Sequence, residues 1–324
     1  MCLAVIAWHV HPDYPLVLAA NRDEFYTRST RPASWWGQSV ALLAGRDEEA
    51  GGTWLGVTRS GRLALLTNAR APSERNPHAP SRGAIAVGAL QSAQPAGEWL
   101  REQAPRMGAY NGFNLLVAEP SPSKDGASRL LYYTNRRDHG PRALSPGIYG
   151  LSNAFLDTPW PKVVRAVSAF ACALASRADA DSLLALMADR RPVHDSERPS
   201  TGVPLDWERA LAPIQIRAHG YGTRSTTVVT VRRDGVVNFL ERSFEPEAPQ
   251  LHRDRHFEFT VDGASTAASR VSGARKAGIP HRMMRPGARS SAASSGAGCR
   301  RRRSRHPRRR NQSAGRTGSL ASAR

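Results

Sequence analysis

The residue with the most direct chemical potential is Cys2, which immediately follows Met1. If Met1 is removed, Cys2 becomes the first residue, and its α-amine, with a reference pKa of roughly 7.7–8.0, lies beside its own thiol. An amine held next to a weak nucleophile can accept its proton and so activate it. The sequence therefore predicts a nucleophilic Cys2. The alternative interpretation is a small apolar residue in a strand, the usual role of a lone cysteine.

Four consecutive polar residues, Asn21-Arg22-Asp23-Glu24, follow the second apolar segment of the chain. A cation such as Arg22 near the Cys2 sulfur lowers the thiol pKa. A carboxylate such as Asp23 near the α-amine can hold that base in place, as the third member of a nucleophile–base–orienter set does. We therefore predict Arg22 and Asp23 as site residues, provided that their strand pairs with that of Cys2. A solvated turn with a local ion pair is the alternative.

Three further polar residues lie next to apolar, strand-like segments, namely Asn68, Asn153 and Arg224. Neutral amides at strand ends can donate hydrogen bonds to a developing oxyanion, which gives both asparagines a predicted role in carbonyl chemistry. Arg224 can supply a second cation. Each residue also has an ordinary structural interpretation, because Asn is common in turns and Arg224 can form a salt bridge at a rim. Sites built at strand ends are held rigidly, which favours a catalytic set.

The elements that must position these residues read mostly as paired strands. Cys2–Val10 and Leu16–Ala20 are apolar and separated by a short polar turn, which predicts an antiparallel hairpin. Thr226–Arg232 and Val236–Glu241 flank an Asp-Gly turn, a second hairpin signal. The predicted helices span 83–93, 158–175 and 179–189. Strands that outnumber helices and occur in hairpins indicate an α+β fold with mainly antiparallel sheets, each covered by helices on one face.

The charge of the chain changes abruptly at residue 262. Of the net charge of +19, residues 262–324 contribute +15, which leaves +4 for residues 1–261. We predict a globular domain over 1–261 and a disordered basic tail rich in Arg, Ser, Ala and Gly over 262–324, because such a composition buries too little apolar surface to offset the entropy of ordering. The arginine runs at 300–303 and 308–310 can attract nucleic acid non-specifically through its phosphates. Without aromatic residues they offer no base stacking.

Cysteine usage and hydropathy indicate the cellular compartment of the protein. The three cysteines, Cys2, Cys172 and Cys299, lie far apart and include no C-x-x-C spacing, so neither a disulfide framework nor a metal site is predicted. The opening residues lack the basic start of a signal peptide, and no apolar run approaches the ~18–20 residues of a membrane span. These observations predict a cytoplasmic protein. The oligomeric state is left open.

Several motifs occur in an order that resembles one known family. They are Met1-Cys2, Asn21-Arg22-Asp23-Glu24, Gly51-Gly52-Thr53-Trp54-Leu55-Gly56, Thr67-Asn68, Gly150-Leu151-Ser152-Asn153, Leu156-Asp157-Thr158-Pro159-Trp160-Pro161-Lys162 and Tyr221-Gly222-Thr223-Arg224-Ser225. Together they resemble the NRDE family, also called the transport and Golgi organisation protein 2 family. This resemblance spans roughly residues 1–261.

The resemblance implies a fold and a set of roles. The family is similar to N-terminal nucleophile hydrolases, which implies a four-layer αββα sandwich, and more distantly resembles the choloylglycine hydrolase and penicillin V acylase group. By that analogy Cys2 is nucleophile and base, while Arg22 and Asp23 tune and orient it. The remaining implied site residues are Asn68 and Asn153 at the oxyanion and Arg224 in the charge network.

Two functions are compatible with this resemblance. The first is an N-terminal cysteine amidohydrolase that acts on an amide or acyl bond of a small molecule and requires no cofactor. The second is a non-catalytic protein that binds or traffics haem or a lipid-like acyl ligand on the same scaffold, for which the Trp35-Trp36 pair is a candidate contact. Fold analogy alone does not decide between them.

Overall fold

The computed structural model describes residues 2–37, 41–119, 128–137, 139–176, 179–246, 248 and 250–262. Apart from Asp262, the predicted basic tail lies outside the described residues, so its disorder and the boundary at residue 262 stay predictions. The segments Gly112–Glu119 and Arg129–Tyr133 predict a further hairpin, and its turn around Ser121–Gly126 lies outside the described residues, as does the third cysteine, Cys299.

Strands dominate the described part of the chain. In chain order they are β1 (Cys2–Trp8), β2 (Leu16–Phe25), β3 (Thr30–Trp36), β4 (Leu42–Asp47), β5 (Leu55–Thr58), β6 (Leu63–Asn68), β7 (Phe113–Glu119), β8 (Arg129–Thr134), β9 (Arg142–Ala143), β10 (Gly147–Leu151), β11 (Arg217–Ala218), β12 (Tyr221–Val231), β13 (Val236–Phe244) and β14 (His252–Thr260). The first sheet has the order β10-β1-β2-β12-β13-β14, with β11 paired to β12. The second runs consecutively from β3 to β9, and both sheets are antiparallel.

Five α-helices form in the same part of the chain. They are α1 (Gly83–Gln91), α2 (Ala96–Gln103), α3 (Pro161–Ser176), α4 (Ala180–Met187) and α5 (Leu205–Leu211). The start of α4 is fixed by Asp179, whose side chain accepts a hydrogen bond from the Ser182 backbone at 2.8 Å, the usual N-cap arrangement. None of these five helices combines the length and apolar character that crossing a bilayer requires.

Three apolar cores define the order of the layers. The first lies between the two sheets and joins residues such as Ile6 and Leu18 to Leu65 and Leu116. A second packs the β3–β9 sheet against α1 and α2, and a third packs the β1-containing sheet against α3 and α4. The layers are therefore helices, sheet, sheet, helices. This confirms the predicted α+β fold and its four-layer αββα sandwich.

Alternation along β1 decides which layer each side chain faces. Ala4, Ile6 and Trp8 contribute to the core between the sheets, whereas the intervening residues face the helices. Because side chains alternate along a strand, Cys2 has the same parity as the residues that face the opposite sheet. In register, Cys2 lies directly across from Arg22 on β2.

The second strand is longer than its apolar pattern predicts. The predicted strand ended at Ala20, but β2 continues to Phe25, so the Asn-Arg-Asp-Glu sequence lies within a strand rather than after one. The physical reason is pairing on both sides, since β1 covers one edge and β12 covers the other. Polar residues are held extended here by partners about 200 positions away in sequence.

Other differences from the predicted elements have local causes. Pro95 is predicted to end or kink the helix that begins at Gly83, but α1 already ends at Gln91, and Pro95 instead directly precedes α2. The polar composition of residues 22–37 predicts an irregular segment, but β3 forms within it because it pairs with β4. The predicted helices over 83–93, 158–175 and 179–189 correspond to α1, α3 and α4 with shorter bounds.

A close backbone contact fixes the start of α1. A Cβ atom added to Gly52 would lie 2.5 Å from the Gly83 carbonyl carbon, a distance at which the backbone must move. We expect Gly52→Ala to lower the free energy of unfolding by roughly 1–3 kcal/mol, as measured by urea denaturation. Gly108→Ala is the matched control, because an added Cβ there meets no atom within 4 Å. Equal stability of the two variants would contradict this account.

Candidate functional site

A cavity of about 580 Å³ opens at the end of the sheets where β1 begins. Four of the six predicted site residues line it, namely Cys2, Arg22, Asp23 and Asn68. The two others, Asn153 and Arg224, are absent from the described residues that form its lining. The predicted meeting of the cysteine and the Asn-Arg-Asp-Glu segment therefore has a definite place, at the wall of this cavity.

Cys2 is a buried thiol on an anchored backbone. Its carbonyl oxygen accepts a hydrogen bond of 3.1 Å from the Ser152 hydroxyl, and 9% of its surface is exposed. Burial raises the pKa of the Cys2 thiol above its ordinary value, and the Asp23 charge acts in the same direction, while the nearby Arg22 charge and a hydrogen bond from the Asp23 backbone oppose both. The environment thus combines a penalty for the thiolate with two groups that favour it.

Arg22 is held by three neighbours on the side of the sheet that Cys2 also faces. Its guanidinium donates to the Thr30 hydroxyl at 2.8 Å, approaches the Asp47 carboxylate at 3.8 Å, and stacks over the Trp54 ring at 4.1 Å. A buried cation fixed in this way keeps one orientation. Its charge is therefore available to the adjacent thiol without further ordering of the side chain.

Asp23 is buried at the same cavity wall. One carboxylate oxygen accepts a hydrogen bond of 2.6 Å from the Thr223 hydroxyl, and its backbone carbonyl accepts one from the Tyr221 hydroxyl at 3.1 Å. Burial raises the pKa of the Asp23 carboxyl, against the opposing positive charge of Lys162. The aspartate is thus oriented by β12, the strand that pairs with its own.

Lys162 is a buried residue beside the site that sequence reasoning did not select. It lies at the start of α3, and its Nζ donates to the Leu211 carbonyl at 3.0 Å. Burial lowers the pKa of Lys162 to about 8, although the Asp23 carboxylate and the Cys2 thiol oppose this change. The available signal was its place on the apolar face of α3, where it shares burial with Val163.

The two asparagines have different positions. Asn68 is the last residue of β6 and lines the cavity. Asn153 is buried behind it, and its side-chain amide donates to the Asn68 carbonyl at 3.0 Å, while its own carbonyl accepts from the Arg70 backbone at 2.7 Å. Asn153 therefore positions the backbone that presents Asn68. The predicted oxyanion role of both amides stays a prediction.

Arg224 lies at a β-bulge in β12, where the register with β2 shifts between Thr223 and Ser225. Its guanidinium donates to the backbone carbonyls of Phe25 at 3.1 Å and Arg28 at 2.9 Å. Arg224 is thus joined to two backbone positions of the β2–β3 turn. In this position Arg224 supports the turn that carries Phe25 and Arg28 to the cavity wall.

A buried polar chain links the two sheets immediately behind Cys2. Thr67 donates to the Ser152 carbonyl at 2.7 Å, Asn114 donates to the Thr67 hydroxyl at 3.1 Å, and Tyr132 donates to the Asn114 amide oxygen at 2.8 Å. With the Ser152–Cys2 bond, this chain runs from β1 through the residue that follows β10 to β6, β7 and β8. Sequence reasoning missed it because these residues meet only through strand register.

Charged residues beyond the predicted set also line the cavity. Five further arginines contribute to its wall, namely Arg28, Arg70, Arg75, Arg82 and Arg136. With Arg22 they face three carboxylates, those of Asp23, Glu24 and Asp47. Among the residues that the structure describes, no group of three or more His, Cys, Asp or Glu side chains is arranged to hold a metal ion.

Fold and site together define an αββα sandwich with a cysteine on the first strand, set against a buried arginine and aspartate at a polar cavity. Comparison with known proteins gives the family. The chain belongs to the family described as Transport and Golgi organisation 2, whose model matches residues 1–246. This confirms the predicted resemblance to the NRDE family.

Relatives of this chain include two animal proteins that carry the family description. The human Transport and Golgi organization protein 2 homolog is 35% identical over 278 residues, which cover 81% of this chain and 99% of the relative. Transport and Golgi organization protein 2 of Drosophila melanogaster is 25% identical over 264 residues, which cover 75% of this chain and 92% of the relative.

Solved structures similar to this chain include one described as an amidase and one described as a hydrolase. One is the Caenorhabditis elegans N-acylethanolamine-hydrolyzing acid amidase ortholog, with a TM-score of 0.35 and 10% identity over 70% of this chain and 92% of the other. The second is the C2A mutant of the conjugated bile acid hydrolase from Clostridium perfringens, with a TM-score of 0.33 and 8% identity over 80% of this chain and 97% of the other.

Proposed function

We propose that this protein is an N-terminal cysteine amidohydrolase that acts on an amide or related acyl bond of a small molecule. The observation that carries the proposal is the pairing of Cys2 with Arg22 on facing strands at the wall of a 580 Å³ cavity. A cation beside a thiol favours the thiolate, the nucleophilic form. A cavity of this volume is in the range that small-molecule sites occupy.

The proposed reaction begins once Met1 has been removed. The Cys2 Sγ attacks the carbonyl carbon of the amide, and its proton passes to the α-amine, which then delivers it to the departing amine. Water hydrolyses the resulting acyl-thioester, releasing a carboxylic acid and restoring the thiol. Asp23 orients the α-amine in this proposal, and the Asn68 side chain donates to the oxyanion.

A non-catalytic binding role is the second candidate, and one observation favours it. Burial raises the pKa of the Cys2 thiol, which keeps the sulfur protonated and poorly nucleophilic near neutral pH. On this reading the cavity holds haem or a lipid-like acyl ligand without cleaving it. A haem titration tests this candidate, because the absence of a spectral change at micromolar protein would count against haem as the ligand.

The state of the N-terminus separates the two candidates. We expect the intact mass of the purified protein to lack Met1, and we expect iodoacetamide to label Cys2 faster than the half-buried Cys172, with peptide mass spectrometry as the measurement. A protein that retains Met1 has no free α-amine at Cys2. That result would exclude the hydrolytic mechanism and leave the binding role.

A further inference from the structure

The arginines that line the cavity differ in how their charges are compensated. Four of them have a carboxylate partner: Arg22 and Arg28 approach Asp47, Arg70 approaches Glu208, and Arg136 approaches Glu74. In these four cases a carboxylate of the protein itself compensates the charge of the arginine. They leave two guanidinium groups to explain, those of Arg75 and Arg82.

Arg82 is half-buried, and its positive charge is not neutralised by an ion pair within the described part of the chain. Its Nη1 donates to the Gly112 carbonyl at 3.0 Å, which fixes the guanidinium at one point. Arg75 is exposed on the same wall and likewise has no carboxylate within 4.0 Å among the described residues. Among the described residues, the two cations therefore line the cavity without an ion-pair partner, and Glu24, the lining carboxylate that acts on Arg82, lies outside ion-pair distance.

The electrostatic surroundings of Arg82 connect it to the candidate site. Burial lowers the pKa of Arg82, and the neighbouring Arg75 charge acts in the same direction, while Glu24 and Cys2 oppose both. Arg82 therefore interacts electrostatically with the Cys2 thiol, which the proposed reaction uses. Its backbone is also fixed, because the next residue, Gly83, packs against Gly52.

From this geometry we propose that the ligand of the cavity carries an anionic oxygen group, a carboxylate or a phosphate, bound by Arg82 and Arg75. The planar fork of a guanidinium matches both groups through paired hydrogen bonds. Placing the acyl carbon of the same ligand at Cys2 rests on the proposed hydrolase function. The recognition of the anion does not, because it depends only on the two cavity arginines that lack an ion-pair partner among the described residues.

The test uses the full chain with inorganic phosphate, glutarate and the neutral glutaramide as probes in isothermal titration calorimetry. We expect an anion to bind and glutaramide not to bind. Arg82→Gln should weaken anion binding by about tenfold or more, the loss expected for a charge-assisted hydrogen bond. Arg106→Gln, which removes an exposed arginine outside the cavity lining, should leave binding unchanged, and both variants keep the arginine-rich residues 300–310.

A second readout locates the bound anion. A negative charge near Cys2 raises the thiol pKa, so the binding anion should slow iodoacetamide labelling of Cys2 in the wild type but not in Arg82→Gln. If Arg82→Gln unfolds, two other variants replace it in the test. Arg82→Lys keeps the positive charge but lacks the planar guanidinium, and Arg75→Gln changes an exposed residue. Tighter binding of phosphate or of glutarate shows whether the anionic group of the ligand is a phosphate or a carboxylate.

Two results would overturn the inference, namely no anion binding at all, or equal binding in Arg82→Gln and Arg106→Gln. Failure of the hydrolase proposal gives a different pattern. In that case Arg82-dependent anion binding persists in a protein that cleaves no amide and retains Met1.

Discussion

Alanine in place of Cys2 is expected to abolish amide turnover, with a loss on the order of 10³-fold or more, since the nucleophile and its acyl intermediate disappear together. The fold should survive the change. The backbone carbonyl of residue 2 still accepts the Ser152 hydrogen bond in the variant, and only one small side chain is lost from the cavity wall. Steady-state rates on a panel of small amides, with an N-terminal mass check, provide the measurement.

The matched control for this prediction is Cys172→Ala on α3. Cys172 is half-buried and is not among the residues that line the cavity, so the variant should keep wild-type rates. Thermal melts of both variants show whether any loss of rate reflects unfolding. Turnover that persists in a folded Cys2→Ala protein would refute the nucleophilic role of this residue.

Lys162 is expected to give the folded protein an unusual dependence of stability on alkaline pH. Its folded-state pKa of about 8 lies below the ordinary 10.5, so the unfolded chain binds more protons between these values. The free energy of unfolding therefore rises as pH increases from about 8 to 10.5. The charged lysine costs the fold about 3 kcal/mol below pH 8, and neutral Lys162 removes that cost.

Lys162→Met isolates this contribution. The difference in free energy of unfolding between wild type and variant should change by about 3 kcal/mol from pH 8 to 10.5, in the direction that favours the wild type at high pH. Urea denaturation at intervals across this range measures it. Lys162→Arg is the control, because arginine stays protonated throughout and should show no such change. A pH-independent difference between wild type and Lys162→Met would contradict the prediction.

The sequence allows the first hairpin to be predicted because its information is local. Two apolar runs with a short turn between them fix an antiparallel register, and this register places Arg22 opposite Cys2. The extent of β2 could not be predicted in the same way. Its polar residues remain extended because β12 pairs along the other edge, and no local pattern in β2 indicates that partner.

The roles of the other site residues depend on packing between distant elements. Asn153 and Arg224 resemble strand-end groups in the sequence, yet each binds backbone carbonyls in the fold, those of Asn68 and of the β2–β3 turn. Lys162 is buried at the start of α3, where its Nζ donates to the Leu211 carbonyl of a distant element. Such burial follows from how helices meet the sheet, and the local spacing shows only that Lys162 shares the apolar face of α3.

The hydrogen-bonded chain from Ser152 through Thr67 and Asn114 to Tyr132 has a consequence for how ligand preference can diversify. It connects the two sheets, so sliding one sheet past the other would break several buried hydrogen bonds at once. Each buried polar group left without a partner lowers the free energy of unfolding. New specificities are thus more accessible through the segment that presents Arg75 and Arg82 than through the sheets. Variants with altered ligand preference are then expected to carry changes near Arg75 and Arg82 and to keep the buried chain from Ser152 to Tyr132.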